Sequence, residues 1–106
     1  MIKYIVAIVS RLLVCVLILY PVIGSSASSS EGQKVYQQHC LMCHGAQGIS
    51  TMASAPSFKR GEGLFNSDMS LLQRIQTGKN ACPAYVGRLK NQQIYDVIAY
   101  LRTLYP

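Results

Sequence analysis

The chain has 106 residues, of which half are hydrophobic, and its ten lysines and arginines outnumber four acidic residues to give a formal net charge of +6. This length allows one small domain, whose hydrophobic core alone would supply only about 3–5 kcal/mol of stability. The basic residues are scattered along the sequence, so the composition does not indicate a nucleic-acid-binding surface.

The N-terminus has the pattern of a secretory targeting segment. Lys3 and Arg11 make it positive, an apolar run covers residues 12–24, and residues 25–27 (Ser-Ser-Ala) place small side chains at the −3 and −1 positions of a cleavage site. We therefore predict a signal peptide over residues 1–27, cleaved after Ala27. Cleavage implies export to the periplasm or an equivalent extracytoplasmic compartment.

An uncleaved membrane anchor is the alternative for this segment, since residues 4–23 are long enough to span a bilayer. Arg11 in the middle of that run would cost about 2.5–3.5 kcal/mol in the bilayer, which favours cleavage. The remaining domain, residues 28–106, has 79 residues, with eight basic against four acidic side chains and no membrane segment. This positive charge suits an acidic protein partner, or it is ordinary solubilising charge.

A first helix is predicted from Glu31 to Leu41, with Ser30 and Gln33 as a capping box. The helix leads into the run Cys40-Leu41-Met42-Cys43-His44.

This C-x-x-C-H run is the attachment motif of c-type haem. Two thiols three residues apart on one helical turn can add to the two vinyl groups of one porphyrin, and the next residue then offers an imidazole nitrogen to the iron. We predict that Cys40 and Cys43 are the thioether anchors and that His44 is the proximal ligand of one covalent haem c. A thioredoxin-like pair would need strands around the motif, and none are indicated. A zinc site would need four ligands, and only His39 and Cys82 remain to complete one.

A long loop rich in Gly, Ser and Ala follows, from Gly45 to Asn66. Loops of this length usually serve a site, which here would be the wrapping of a haem. A second helix is predicted from Asp68 to Thr77, with Ser67 or Ser70 as its cap and Gly78 as its end.

The third predicted helix has apolar residues at helical spacing, namely Ile94, Val97, Ile98, Leu101 and Leu104 or Tyr105. Asn91 can cap its start. The sequence thus predicts an all-α domain of three main helices joined by long loops.

Residues 31–105 resemble class I cytochromes c, and the resemblance implies their small fold wrapped around one haem. Gly32 and Tyr36 stand eight and four residues before the first motif cysteine, where the family has a glycine and an aromatic that let the first helix cross the last one closely. Ala99-Tyr100-Leu101 resembles the family's partner stretch on the last helix. By the same resemblance, the carbonyl of Pro56 would accept a hydrogen bond from the ring N–H of His44.

The chain departs from the family at Cys82. Class I cytochromes usually carry Met-Pro before the last helix, in a pattern like G-K-N-x-M-P-A-Y, whereas residues 78–85 read G-K-N-A-C-P-A-Y. Since the family's methionine is the second axial ligand, we predict His44/Cys82 ligation of the iron. Three alternatives stay open: a bystander thiol beside five-coordinate iron, an intermolecular disulfide of Cys82, or ligation by Met52 or Met69.

A thiolate ligand predicts a low reduction potential, because an anionic donor stabilises ferric iron whereas methionine with histidine raises the potential. Reduction weakens the iron–sulfur bond, and a departing thiolate takes up a proton, which opens a site for NO or CO. Tyr85, Lys79 and Asn80 are the polar loop residues that can tune the sulfur or meet a ligand. The candidate pocket walls are Phe58, Leu64, Phe65 and Tyr85.

The cysteine also gives the chain a resemblance to the NaxLS-type cytochromes of anaerobic ammonium-oxidising bacteria, heterodimers of two related one-haem subunits with His/Cys ligation that bind NO and CO. The resemblance implies gas binding at ferrous haem and a heterodimer with a related cytochrome c subunit. The alternatives are a plain low-potential electron carrier between redox proteins, or a haem subunit of a sulfur-oxidising enzyme complex. No paired acids or base are evident, so the chain is not predicted to be an enzyme by itself.

Overall fold

The computed structural model describes residues 1–18, 20–21 and 24–106, and the regular structure of these ranges is helical. In chain order they form α1 (Ile2–Ile18), α2 (Ser29–His39), α3 (Leu41–His44), a 3₁₀ turn (Phe58–Arg60), α4 (Asp68–Thr77) and α5 (Asn91–Leu104). No strand occurs in the described ranges, where a single antiparallel bridge joins Lys79 and Cys82. The predicted all-α class is therefore confirmed.

Helix α2 starts two residues earlier than predicted. The hydroxyl of Ser28, and not that of Ser30, accepts the N–H of Glu31 at 3.3 Å, so the predicted capping box of Ser30 with Gln33 is wrong. Three consecutive serines offer equivalent caps in the sequence. Ser28 is selected because its own N–H donates to the Asp96 carboxylate on α5 at 2.8 Å.

The predicted first helix divides at Cys40. Helix α2 ends where the N–H of Cys40 bonds to the carbonyl of Tyr36 at 2.9 Å, and α3 begins with Cys40 as its N-cap residue. The carbonyl of Cys40 in turn accepts the N–H of His44 at 2.9 Å. The C-x-x-C-H run thus forms a separate helical turn.

Helix α4 has the bounds that the sequence predicts. Ser67 is its cap, since its hydroxyl accepts the N–H of Ser70 at 3.2 Å, and Gly78 ends the helix with φ of 69°. Asp68 in the first turn forms an ion pair with Arg102 of α5. A carboxylate at this end also complements the helix dipole.

Helix α5 begins at Asn91, but Asn91 is not its cap. Lys90 is the N-cap residue, and its backbone N–H donates to the side-chain oxygen of Gln93 at 2.9 Å. The side-chain oxygen of Asn91 instead accepts a hydrogen bond from Gln76 of α4 at 2.7 Å. A tertiary contact therefore takes the group that the sequence assigned to capping.

Helices α2 and α5 cross in backbone contact at Gly32. A Cβ atom at this position would lie 1.9 Å from the carbonyl oxygen of Asp96 and 2.8 Å from the nitrogen of Val97, so only glycine fits. One turn further along α2, Tyr36 is fully buried and its ring packs edge-on against Tyr100 at 5.3 Å. This is the close crossing that the family resemblance implied.

The hydrophobic core surrounds this crossing and continues under α4 and the long loop. Its buried side chains are Val35, Tyr36, Phe58, Leu64, Leu72, Tyr85, Leu89, Ile94, Val97, Ile98 and Leu101. The apolar positions predicted for the third helix form a large share of this set, whereas Tyr100 is only partly buried at its edge.

The loop over residues 45–66 is held by local hydrogen bonds. Its centre is Ser57, whose hydroxyl accepts the N–H of Ser50 at 2.9 Å and whose own N–H donates to the Glu62 carboxylate at 2.7 Å. The N–H of Ser57 and then the guanidinium of Arg60 hold the pKa of Glu62 below its usual range. The loop therefore has a defined path although it has little regular structure.

Helix α1 covers the first part of the predicted targeting segment. Among the described residues, no helix is long and apolar enough to cross a membrane. Residues 19, 22 and 23 of the predicted apolar run lie outside the described ranges. The division into a signal peptide over 1–27 and a domain over 28–106 stays a prediction.

The crossing makes a testable prediction for Gly32→Ala. The added methyl group meets the α5 backbone, which cannot rotate away, so we expect a loss of about 3 kcal/mol or more in the free energy of unfolding of the ferric holoprotein. Chemical denaturation measures it. Gln33→Ala, at an exposed neighbouring position of α2, is the matched control and should change stability little. Equal stabilities of the two variants would contradict the backbone contact.

Candidate haem site

A cavity of about 830 Å³ lies between α3, the loop over residues 45–66, α4 and the loop over residues 78–85. Its volume falls in the roughly 300–1,000 Å³ range of cofactor sites. The site residues predicted from the sequence all line it, namely Cys40, Cys43, His44, Pro56, Cys82 and Tyr85. The structure thus brings together residues that are up to 45 positions apart in the sequence.

The helical turn α3 places the attachment motif on the cavity wall. Cys40 and Cys43 are three residues apart, a spacing that puts both side chains on one face of a helix. Met42, which lies between them, points away and is 88% exposed. The two thiols and the imidazole of His44 therefore line one cavity.

The ring of His44 is oriented by two contacts. Its Nδ1 lies 3.0 Å from the carbonyl oxygen of Pro56. Because a carbonyl only accepts, this nitrogen carries the proton, and the lone pair of Nε2 is left for a metal. Phe58 stacks on one face of the ring, with centroids 4.5 Å apart and planes at 23°.

Burial raises the pKa of the Cys40 thiol to about 12, and the nearby sulfurs of Cys82 and then Cys43 add to the effect. In the chain without cofactor, Cys40 is thus a neutral thiol at physiological pH. Cys82 lines the same cavity as the attachment motif. The cavity is lined by the sulfur-bearing residues Cys40, Cys43, Met52 and Cys82 and by His39 and His44.

The backbone around Cys82 is fixed by a tight turn. Lys79 and Cys82 exchange two backbone hydrogen bonds, of 3.1 and 3.0 Å, and Asn80 between them has a positive φ of 54°. A Cβ atom on Gly78 would lie 2.6 Å from the carbonyl oxygen of Cys82, so the chain can close here only with glycine. The side chain of Cys82 is exposed at the cavity rim.

Tyr85 joins this turn to the attachment motif. Its hydroxyl donates to the carbonyl of His39 at 3.0 Å, a group at the end of α2 that has no partner within the helix. Burial is the main cause that raises the pKa of Tyr85. The guanidinium of Arg88 lies over the tyrosine ring at 4.9 Å from its centroid. Tyr85 thereby fixes the position of the 78–85 loop relative to Cys40.

The methionines differ in their access to the cavity. Met52 lines it, whereas Met69, at 57% exposure, and Met42 do not. Met52 belongs to the loop of the proximal ligand, since the hydroxyl of Ser50 bonds to both the carbonyl of Met52, at 2.6 Å, and the carbonyl of Cys43, at 3.2 Å. Of the two methionine alternatives, only Met52 is in the cavity wall, on the His44 side.

Two of the predicted pocket walls are wrong. Phe58 and Tyr85 line the cavity, but Leu64 and Phe65 do not. Leu64 is buried in the core, and its carbonyl is held by Arg102 of α5. Phe65 is 82% exposed and packs edge-on against Tyr105 at 5.7 Å.

The contribution of α4 and α5 to the cavity was not predicted from the sequence. Leu71, Arg74 and Ile75 from α4 and Val97 and Leu101 from α5 line it. Val97 and Leu101 were predicted only as apolar positions of the third helix. The spacing of Leu71 and Ile75, four residues apart, shows that they share a face, but it does not show what that face contacts.

These residues fit a covalent haem. The cavity has apolar walls for the porphyrin, two cysteines on one turn for its vinyl groups, and an imidazole whose free nitrogen is set by its carbonyl partner. When bound, the haem supplies an iron that takes up and releases one electron.

Comparison with known proteins agrees with this site. The family model described as cytochrome c oxidase, cbb3-type, subunit III, matches residues 27–101. Cytochrome c6 of Parathermosynechococcus lividus is 39% identical over 77 residues, which cover 71% of this chain and 88% of that protein. Cytochrome c6 of Nostoc sp. (strain PCC 7120 / SAG 25.82 / UTEX 2576) is 34% identical over 80 residues, which cover 72% and 70%.

Solved structures of c-type cytochromes also resemble the fold of this chain. The KustC0563 c-type cytochrome has a TM-score of 0.63 and 25% identity, with 71% of this chain and 98% of that chain covered. Cytochrome c6 from the diatom Phaeodactylum tricornutum has a TM-score of 0.62 at 24% identity, over 73% and 93%, and shows the same fold. With the cavity and its attachment motif, these matches establish that the chain belongs to the cytochrome c family and is a monohaem c-type cytochrome, an electron-transfer protein with one covalent haem c.

Proposed function

We propose that this cytochrome holds its haem iron between His44 and the thiolate of Cys82. The observation that carries the proposal is the position of Cys82, which lies on the rim of the cavity that His44 lines, in a turn closed by two backbone hydrogen bonds. The motif around it, from Gly78 to Tyr85, is the one in which class I cytochromes present their methionine.

The thiolate sets a low reduction potential. Its negative charge stabilises ferric iron over ferrous iron, in contrast to the neutral thioether of methionine. Lys79 and Arg74 are the lysine and the arginine that line the cavity. Their positive charges offset the negative charge of the thiolate in part. They do not bond to the sulfur, so the thiolate still lowers the reduction potential.

Reduction releases Cys82. Within the described residues, the one hydrogen bond of the sulfur is a weak one, 3.8 Å from the carbonyl oxygen of the neighbouring Pro83, and it does not hold the thiol strongly. A released thiolate at an exposed rim takes up a proton from water and stays unbound. Cys82 then leaves a coordination position open to NO or CO.

The proposed setting is extracytoplasmic, because the targeting pattern of residues 1–27 precedes the haem domain. A heterodimer with a related cytochrome c subunit is the partner implied by the NaxLS resemblance. Arg74, Lys79 and Arg88 lie along the cavity and beside Tyr85, where they suit an acidic redox partner. No catalytic activity is proposed for the isolated chain.

The second candidate is plain electron transfer without gas binding, favoured by the match to cytochromes c6. A haem subunit of a sulfur-oxidising complex is the third, and it requires a partner that supplies the catalytic groups. Addition of CO or NO to the reduced protein distinguishes gas binding from plain electron transfer.

Cys82→Met tests the ligand. We expect the ferric wild-type protein to give the optical and EPR spectra of low-spin His/thiolate haem, without the weak far-red charge-transfer band of methionine ligation. The band should appear in Cys82→Met, because the surrounding turn matches the family pattern. Met52→Leu and Met69→Leu are the controls and should leave the wild-type spectra unchanged. A methionine-type band in the wild-type protein would disprove thiolate ligation.

Addition of CO or NO to the dithionite-reduced protein tests the opening of the site. We expect the Soret band of the wild-type protein to shift on addition of either gas, since Cys82 has left the iron. Cys82→Met should respond far less, because a thioether stays bound to ferrous iron. If the wild-type spectrum does not change, plain electron transfer is the correct function.

A further inference from the structure

Asp96 on α5 is the one charged side chain that is buried among the described residues, with 8% of its surface exposed. Its Oδ1 atom accepts the backbone N–H of Ser28 at 2.8 Å and the side-chain N–H of Gln92 at 3.0 Å. Both donors are neutral, and none of the ion pairs in the described part of the chain includes Asp96. A buried carboxylate with no cation is an uncompensated charge.

The nitrogen that contacts Asp96 is the atom that cleavage would expose. Ser28 directly follows the Ser-Ser-Ala pattern of residues 25–27. Residues 24–27 are exposed and have no regular structure, whereas helix α2 begins at Ser29. A peptidase can therefore reach the bond between Ala27 and Ser28 without unfolding the domain.

We propose that cleavage between Ala27 and Ser28 creates the missing cation, so that the mature α-ammonium group of Ser28 forms an ion pair with Asp96. The inference rests on the proposed export of the chain. Hydrolysis consumes one water, leaves a carboxylate on Ala27 and an amine on Ser28, and the amine takes up a proton. The nitrogen already lies 2.8 Å from Oδ1, so the pair forms without movement of either helix.

The α-ammonium group of Ser28 needs a negative partner, because it lies at the N-terminus of α2. Ser28 is the N-cap of α2, where its hydroxyl accepts the N–H of Glu31. An ammonium group at this end faces the positive pole of the helix dipole and would weaken the helix. Glu31 is already paired with Lys34 at 2.8 Å, which leaves the Asp96 carboxylate to balance the terminus.

The ion pair requires cleavage at one position. A cut one residue earlier would move the ammonium group by about 3.8 Å, the spacing of neighbouring Cα atoms, and leave a neutral amide against Asp96. A cut one residue later would remove the cap and the contact together. The mature terminus thus locks the start of α2 to α5 four residues before the Gly32 crossing.

The first test is the intact mass of the holoprotein after export of the full chain by a host that attaches haem c. We expect residues 28–106 plus one haem. A chain that keeps residues 1–27 contradicts the proposed export. A mature start at any other residue contradicts the ion pair while leaving export intact.

The second test is a cycle of four holoproteins: the mature chain, a version with residues 24–27 retained before Ser28, and Asp96→Asn in each. In the extended version the Ser28 nitrogen is a neutral amide. We expect Asp96→Asn to raise the unfolding equilibrium constant about tenfold more in the mature chain than in the extended chain. Asp68→Asn, which removes an exposed carboxylate paired with Arg102, is the control and should act equally in both.

An equal effect of Asp96→Asn in the two backgrounds would overturn the proposal. If the Asp96→Asn variants do not fold, the test is the comparison of the mature and the extended holoproteins that both keep Asp96. The mature chain must then be more resistant to denaturant than the extended one, and equal resistance would overturn the proposal.

Discussion

The contact between the backbones of α2 and α5 at Gly32 determines the geometry of this cytochrome. It fixes the direction in which α2 leaves the core and therefore where the Cys40 turn begins. Tyr36, buried just after the crossing, donates from its hydroxyl to the carbonyl of Gly45 at 2.6 Å and holds the far end of α3. Tyr85 then attaches the 78–85 loop to the end of α2. Both sides of the haem cavity are thus positioned from one crossing.

The fold was predictable where the sequence marks both ends of an element. Helix α4 has a serine cap and a terminal glycine, and its predicted bounds agree with the structure. Helix α2 does not have such marks, because Ser28, Ser29 and Ser30 are equivalent caps until Asp96 of α5 selects Ser28. Local sequence also does not show that the helix divides at Cys40, whose N–H bonds to α2 and whose carbonyl bonds to α3.

The haem site was predictable to the extent that its residues are carried by a motif. The C-x-x-C-H run and the family spacing predicted Cys40, Cys43, His44 and Pro56 as site residues, and these residues line one cavity. The walls supplied by α4 and α5 follow from packing, which amphipathic spacing alone does not reveal. Phe65 was predicted to be a wall of the pocket, but it is exposed and packs on Tyr105. A hydrophobic residue in a loop that borders the site need not line the cavity.

The proposed difference from class I cytochromes with an axial methionine depends on one atom, the sulfur of residue 82. The turn around Cys82, the Tyr85 contact and the His44–Pro56 pair keep the arrangement of a cytochrome c, while a sulfur that can carry charge replaces a neutral thioether. The reduction potential is the property most directly set by that charge. A spectroelectrochemical titration of the holoprotein should give a negative midpoint potential against the hydrogen electrode, and Cys82→Met should raise it by a few tenths of a volt, within the roughly 0.8 V that axial ligands span. A strongly positive midpoint potential of the wild-type protein would contradict ligation by Cys82.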